Sequence, residues 1–208
     1  MSVRRARVAV AVLFTLGLTG VAHADSKVVL PRSGQVGFGL QFGYGTLLQT
    51  DSYGNTFGGG ASYVVHLRYR MRYERAIGLT FSAERFDVRS PVMYNFDDPN
   101  SVQPERLNTT LSGLDFYQMF GTRTPTVKYL LLSGGLSQER VKLNDGETEL
   151  SGTYSSDGLY LGAGAGIERF FWSSMAWDLS GRYNAIFRDG KPHNDVQVSL
   201  GIMWYASY

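Results

Sequence analysis

The sequence contains no cysteine. That excludes a disulfide framework, a cysteine-ligated metal site and a lipid-modified N-terminal cysteine. Long apolar runs are scarce as well. One stands out, from Val8 to Val21, and it is short for a membrane-spanning helix. It follows a basic start (Arg4, Arg5, Arg7) and precedes Ala22-His23-Ala24, the small-residue exit of a secretory signal peptide, so cleavage is expected before Asp25. A surplus of positive charge is also lacking. The 208 residues carry 20 Lys+Arg against 18 Asp+Glu; three of those cations leave with the signal and no acid does, so 17 face 18 in the remainder. No stripe of Lys and Arg interleaved with aromatics is left, and nucleic acid is excluded as a partner. Histidine is rare too: His23 leaves with the signal and His193 is expected in a distant loop. His66 therefore has no second ligand, and neither a metal nor a cofactor is expected.

What the sequence has is period-two alternation. After a polar lead expected over 25–33, "GQVGFGLQFGYGT" puts Val36, Phe38, Leu40, Phe42 and Tyr44 on one face, with Gln and Gly on the other. The same pattern runs through "ASYVVHLRYR", "AIGLTFSAE", "LYLGAGAGIE", "WDLSGRYNA" and "DVQVSLGIMWYASY". Two further strand-like stretches, about 107–120 and 126–142, carry apolar residues on both faces, which leaves their inside and outside open. A bulge near Gly113 would account for a change of phase.

Eight strands have seven connections, and their expected lengths alternate. Longer ones fall at about 46–59, 88–106, 143–157 and 187–194, and tight ones at about 71–75, 121–125 and 172–175. Long and short ends on opposite rims are the pattern of an up-and-down barrel in an outer membrane. The tight turns offer a check on register. Folding back near Tyr73 sets Leu67 against Leu79, Val65 against Phe81 and Arg68 against Gly78. Folding back near Ser173 sets Leu179 against Ile167 and Arg182 against Gly164. Apolar meets apolar, and charged meets small.

Bulk decides which face is outside. An eight-stranded barrel has an interior only wide enough to be filled by side chains. The face with Phe, Tyr, Trp and Leu is too bulky for it, and the Gly- and Ser-rich face with scattered charges fits. The inward charged set is then His66, Arg68, Arg70, Glu84, Glu168, Asp178 and Arg182, expected as a structural polar network plugging the lumen. Arg182 would fill a groove left by Gly162, Gly164 and Gly166, balanced by Glu168 or by Glu84 across the lumen. Trp177, Trp204, Tyr63, Tyr69 and Tyr183 would form an interfacial girdle, with Tyr205 alone on the inward parity.

On "GAGAGIERFF", "LSGRYNA" and the aromatic end "SLGIMWYASY", the chain resembles the small OmpA/OmpX type of outer-membrane barrel over most of residues 34–208. The resemblance implies an all-β, closed antiparallel eight-stranded transmembrane barrel embedded in outer-membrane lipid as a monomer. It also implies a terminal strand (Leu200, Ile202, Trp204, Tyr208) that the barrel assembly machinery reads, although such strands usually end in Phe and this one ends in Tyr. No catalytic residue is expected. A lipid-A deacylase barrel of the PagL type carries a His-x-Ser-Asn run on strand seven. The matching stretch "GRYNAIFRDGKPHN" keeps Arg182, Tyr183 and Asn184 but has no His-x-Ser, and a hydrolase needs a nucleophile beside a base. A palmitoyl-transferring barrel lacks a His plus Asp/Ser set on a common face. A wide transport pore needs a larger barrel. The expected role is structural, or the binding of an extracellular ligand by the longer loops, where Tyr53, Phe57, Tyr94, Phe96 and Tyr154 sit among polar residues; the alternatives are a lipid-A-modifying barrel without a recognisable catalytic motif and a narrow channel.

Overall fold

The alternation becomes eight strands in a computed structural model, which describes residues 33–48, 55–89, 103–144, 153–188 and 191–206. The expected signal peptide and all but the last residue of the expected lead lie outside the described residues, as do Tyr53, Tyr94, Phe96 and Tyr208. The strands are β1 (Val36–Leu47), β2 (Gly59–Arg72), β3 (Arg75–Asp87), β4 (Gln103–Phe120), β5 (Thr126–Asn144), β6 (Thr153–Phe170), β7 (Met175–Arg188) and β8 (Lys191–Tyr205). Each pairs antiparallel with its neighbour in sequence, and β8 returns to β1 to close the barrel. Closure leaves no unpaired edge, which is what a sheet surrounded by hydrocarbon requires.

The register follows from the tight turns. Leu67 faces Leu79 and Arg68 faces Gly78, while Arg182 faces Gly164 and Leu179 faces Ile167. Along the closing seam, Phe38 meets Trp204, Leu40 meets Ile202 and Phe42 meets Leu200.

The two strands with apolar residues on both faces have a plain phase. No bulge lies at Gly113: it pairs with Thr80 on one side and Gly135 on the other in unbroken register, and the irregularity in β4 is at Pro104/Arg106. Leu111, Asp115, Tyr117 and Met119 point inward from β4, and Val127, Tyr129 and Leu131 from β5, all buried. Both faces read as apolar because this sector of the interior really contains large apolar and aromatic groups.

The outer face is apolar in a band and polar above it. On β5, Leu130, Leu132 and Leu136 are 55 %, 64 % and 62 % exposed, and the next outward positions are Gln138, Arg140 and Lys142. On β3, Ile77, Leu79 and Phe81 give way to Arg85 and Asp87. A polar inside behind an apolar outside is the reverse of a soluble barrel, and its natural solvent is lipid. Trp172, Trp177 and Trp204 are exposed on the outer face near the short-turn rim, where an aromatic girdle sits at a membrane interface.

Glycines on the inner face make room for neighbouring side chains. A Cβ at Gly39 would run into the His66 ring and the Met203 sulfur, one at Gly166 into the Tyr129 ring, and one at Gly37 into the Tyr205 ring.

Three connections differ from expectation. The last one is tight: β7 runs to Arg188 and β8 resumes at Lys191, with those two residues paired. Residues 187–194, expected as a loop, are therefore mostly strand, and three longer connections remain. Phe57, expected at a loop surface, is 3 % exposed. It packs with Leu47, Phe86, Leu107 and Val141 in an apolar cluster at the long-loop end of the lumen. Tyr154 lies within β6.

Candidate functional site

The lumen is the place where this chain concentrates charge. His66, Arg68 and Arg70 project inward from β2, Glu84 from β3, Glu168 from β6, and Asp178 and Arg182 from β7; none is more than 6 % exposed. Their contacts form two groups, one above the other.

The lower group lies near the short turns. Glu168 binds Arg68 through Oε1 and Arg70 through Oε2, the latter at 2.7 Å. Arg68 also donates to Asp178 at 3.2 Å. Two tyrosines complete the carboxylates: Tyr129 donates to Asp178 at 2.6 Å and Tyr205 to Glu168 at 2.5 Å. The guanidinium of Arg68 lies 4.1 Å from the Tyr117 ring centroid, and that of Arg70 lies 5.1 Å from that of Tyr205. Ring faces stabilise a cation that has left water. His66 stands 3.8 Å from Asp178, with Met203 on the same ring nitrogen at 2.8 Å.

The upper group starts at Arg182. Its partner is neither Glu168 nor Glu84 but Asp115 on β4, at 3.0 Å. The same Asp115 oxygen accepts from Thr80 at 2.6 Å and from Tyr117 at 2.7 Å. Glu168 is instead held by Arg68 and Arg70. The glycine groove is only partly Arg182's: at Gly166 the filler is Tyr129, and at Gly162 it is Ser133 with Asn184. Above, Asn184 donates to Asp195 at 2.8 Å and Gln197 to Ser82 at 3.2 Å, while Ser180 and Ser199 both donate to Gln41.

His193 is not in a loop. It points inward from β8, is 3 % exposed, and its Nε2 lies 2.5 Å from Glu139, which also accepts from Arg188 at 3.3 Å. Among the described residues no group of three or more metal-ligating side chains is gathered.

Asp115, Tyr117, Tyr129, Glu139 and Asp195 were missed by sequence reasoning. A signal existed for three of them. Folding back about Arg123–Thr124, as at the other two tight turns, sets Asp115 against Ser133, Tyr117 against Leu131 and Gly113 against Gly135, the pairing observed. That puts Asp115 and Tyr117 on the small, polar parity, with Tyr129 beside them.

No protein-family model matches the sequence, and no curated protein is similar enough to align with it. Solved structures do match in fold. The Neisserial surface protein A superposes with a TM-score of 0.59 at 17 % identity, covering 81 % of this chain and 96 % of that one. Ail, the attachment invasion locus protein of Yersinia pestis, gives 0.56 at 13 % identity, with 84 % and 99 % covered. The outer membrane protein OprG of Pseudomonas aeruginosa gives 0.53 at 12 % identity, with 88 % and 100 % covered. At these identities the likeness is one of architecture.

Proposed function

We propose that this chain, which has the fold of the small eight-stranded outer-membrane barrels of the OmpA/OmpX type, is a non-enzymatic integral protein of a bacterial outer membrane. It is exported with a cleaved signal peptide, inserted by the barrel assembly machinery through its terminal strand, and works as a monomer. Its lumen is closed, and its role is structural or a surface interaction made by the three longer connections. Those connections face the cell exterior, as in barrels of this kind.

The observation that carries the reading is the interior. Arg68, Arg70, Glu168 and Asp178 are all 0 % exposed and bonded to one another across the lumen. Ionised groups buried this way are held as a set, because removing one partner leaves a charge that neither water nor protein solvates. A set locked by its own ion pairs is a poor general acid, base or ion path. The reading is also supported by neighbours such as NspA and Ail, which are outer-membrane barrels.

The test is fractionation. The protein should partition with the outer membrane, start at Asp25, and migrate faster on a gel unboiled than boiled. Recovery from the periplasm without detergent would overturn the proposal.

A further inference from the structure

The short-turn rim breaks a local rule. Arg72 and Arg75 face each other across the β2–β3 turn. Like charges placed directly opposite destabilise a hairpin. The neighbouring β4–β5 turn adds a third guanidinium, that of Arg123, to the same place. The two turns are tied together: β3 and β4 pair from Arg75 and Gln118 onward, and the Met119 amide donates to the Glu74 carbonyl at 2.7 Å. Between them lies a cleft of about 590 Å³ lined by Arg72, Tyr73, Glu74, Arg75, Thr122 and Arg123.

The cleft is preformed. Gly121 takes φ +69°, which suits glycine, and Thr124 closes the turn by donating from its hydroxyl to the Gly121 carbonyl at 2.8 Å. Three cations line the cleft with a single carboxylate, Glu74, and among the described residues no ion pair involves any of the three. What such a site lacks is an anion. Its surroundings say which kind. Met71, Tyr73 and Phe120 are 37 %, 59 % and 49 % exposed beside it, at the lower border of the apolar band, and Lys128 pairs with Phe120 there.

We propose that this cleft binds the phosphate of an anionic phospholipid in the leaflet that meets the short turns, with the acyl chains lying against Met71 and Phe120. Arg72, Arg75 and Arg123 supply charge-assisted hydrogen bonds to the phosphate oxygens. The bound anion removes the repulsion between Arg72 and Arg75. The inference rests on the membrane reading above.

The test is native mass spectrometry of the full chain in detergent, titrated with phosphatidylglycerol and with phosphatidylcholine. Wild type should retain phosphatidylglycerol preferentially. A cation beside an anionic lipid is worth roughly fivefold in binding, so Arg72→Gln/Arg75→Gln/Arg123→Gln should lose about a hundredfold, and Arg123→Gln alone about fivefold. Arg85→Gln/Arg140→Gln, at the opposite end, should lose nothing. Equal retention of the two lipids by wild type, or of phosphatidylglycerol by wild type and both cleft variants, would overturn the site. Complete displacement of the lipid by inorganic phosphate would overturn the lipid assignment. A boiled-versus-unboiled gel on the same samples separates the two failures: a normal shift without lipid preference condemns the cleft alone, and a missing shift condemns the barrel as well.

Discussion

Removing the Arg182 guanidinium should destabilise the barrel by an amount the structure lets one work out. Arg182 is 6 % exposed and Asp115 2 %, so both are desolvated, and they meet at 3.0 Å. Breaking a buried pair from one side costs about 3–5 kcal/mol. Arg182→Ala should fall near the low end, about 3 kcal/mol, because Asp115 keeps the Thr80 and Tyr117 hydroxyls at 2.6 and 2.7 Å. Asp115→Ala should cost more, about 4–5 kcal/mol, since it strands a guanidinium and leaves both hydroxyls without their acceptor. The double variant should cost less than the sum by about 2 kcal/mol. Arg182→Lys should do less harm than Arg182→Ala. The assay is urea unfolding in micelles followed by tryptophan fluorescence. With a slope of about 2 kcal/mol per molar, Arg182→Ala should move the midpoint down by about 1.5 M. The control is Arg85→Ala, whose side chain is 56 % exposed and 3.8 Å from Asp87; it should stay within about 0.5 kcal/mol of wild type. Arg188, which bonds to buried Glu139, would be a poor control. If Arg182→Ala unfolds with the Arg85 variant, or the cycle is additive, the lumenal pair carries no energy and the reasoning fails.

Gly164→Leu should abolish efficient refolding in micelles, because a Cβ there meets the Gly181 carbonyl and lies 3.2 Å from the Arg182 Cα. Gly181→Ala, with nothing within 4 Å of the added carbon, should refold like wild type; equal yields of heat-modifiable protein from both would contradict the packing described. An epitope inserted after Asp98 or Asp145 should be reached by antibody on intact cells, and one at Thr122 should not, with reversed labelling meaning an inverted barrel.

The strand pattern was legible because lipid imposes it. Where one face meets hydrocarbon and the other a narrow lumen, alternation is forced, as in Phe38, Leu40 and Phe42 against Gly37, Gly39 and Gln41. β4 and β5 were opaque for the opposite reason. Tyr117, Met119, Tyr129 and Leu131 point into the interior, and a lumen lined by aromatics looks like a second outer face to a rule that equates apolar with outside. The inward charges on β2, β3, β6 and β7 could be placed by parity, but their partners could not. Arg182 finds Asp115 across the lumen, and parity along one strand carries no information about distance across a barrel. The last hairpin was misread because "RDGKPHN" has loop composition. Arg188 and residues 191–194 continue the strands, and His193 turns inward to Glu139.

The proposed seal of buried ion pairs across the lumen is tested most directly by current across a planar bilayer. Purified wild type should show no resolvable steady conductance. Arg68→Ala/Arg70→Ala, which removes two fully buried side chains together with the cations holding Glu168, should show channel openings while retaining its heat-modifiable migration. A steady, porin-like open state in the wild type would contradict the account.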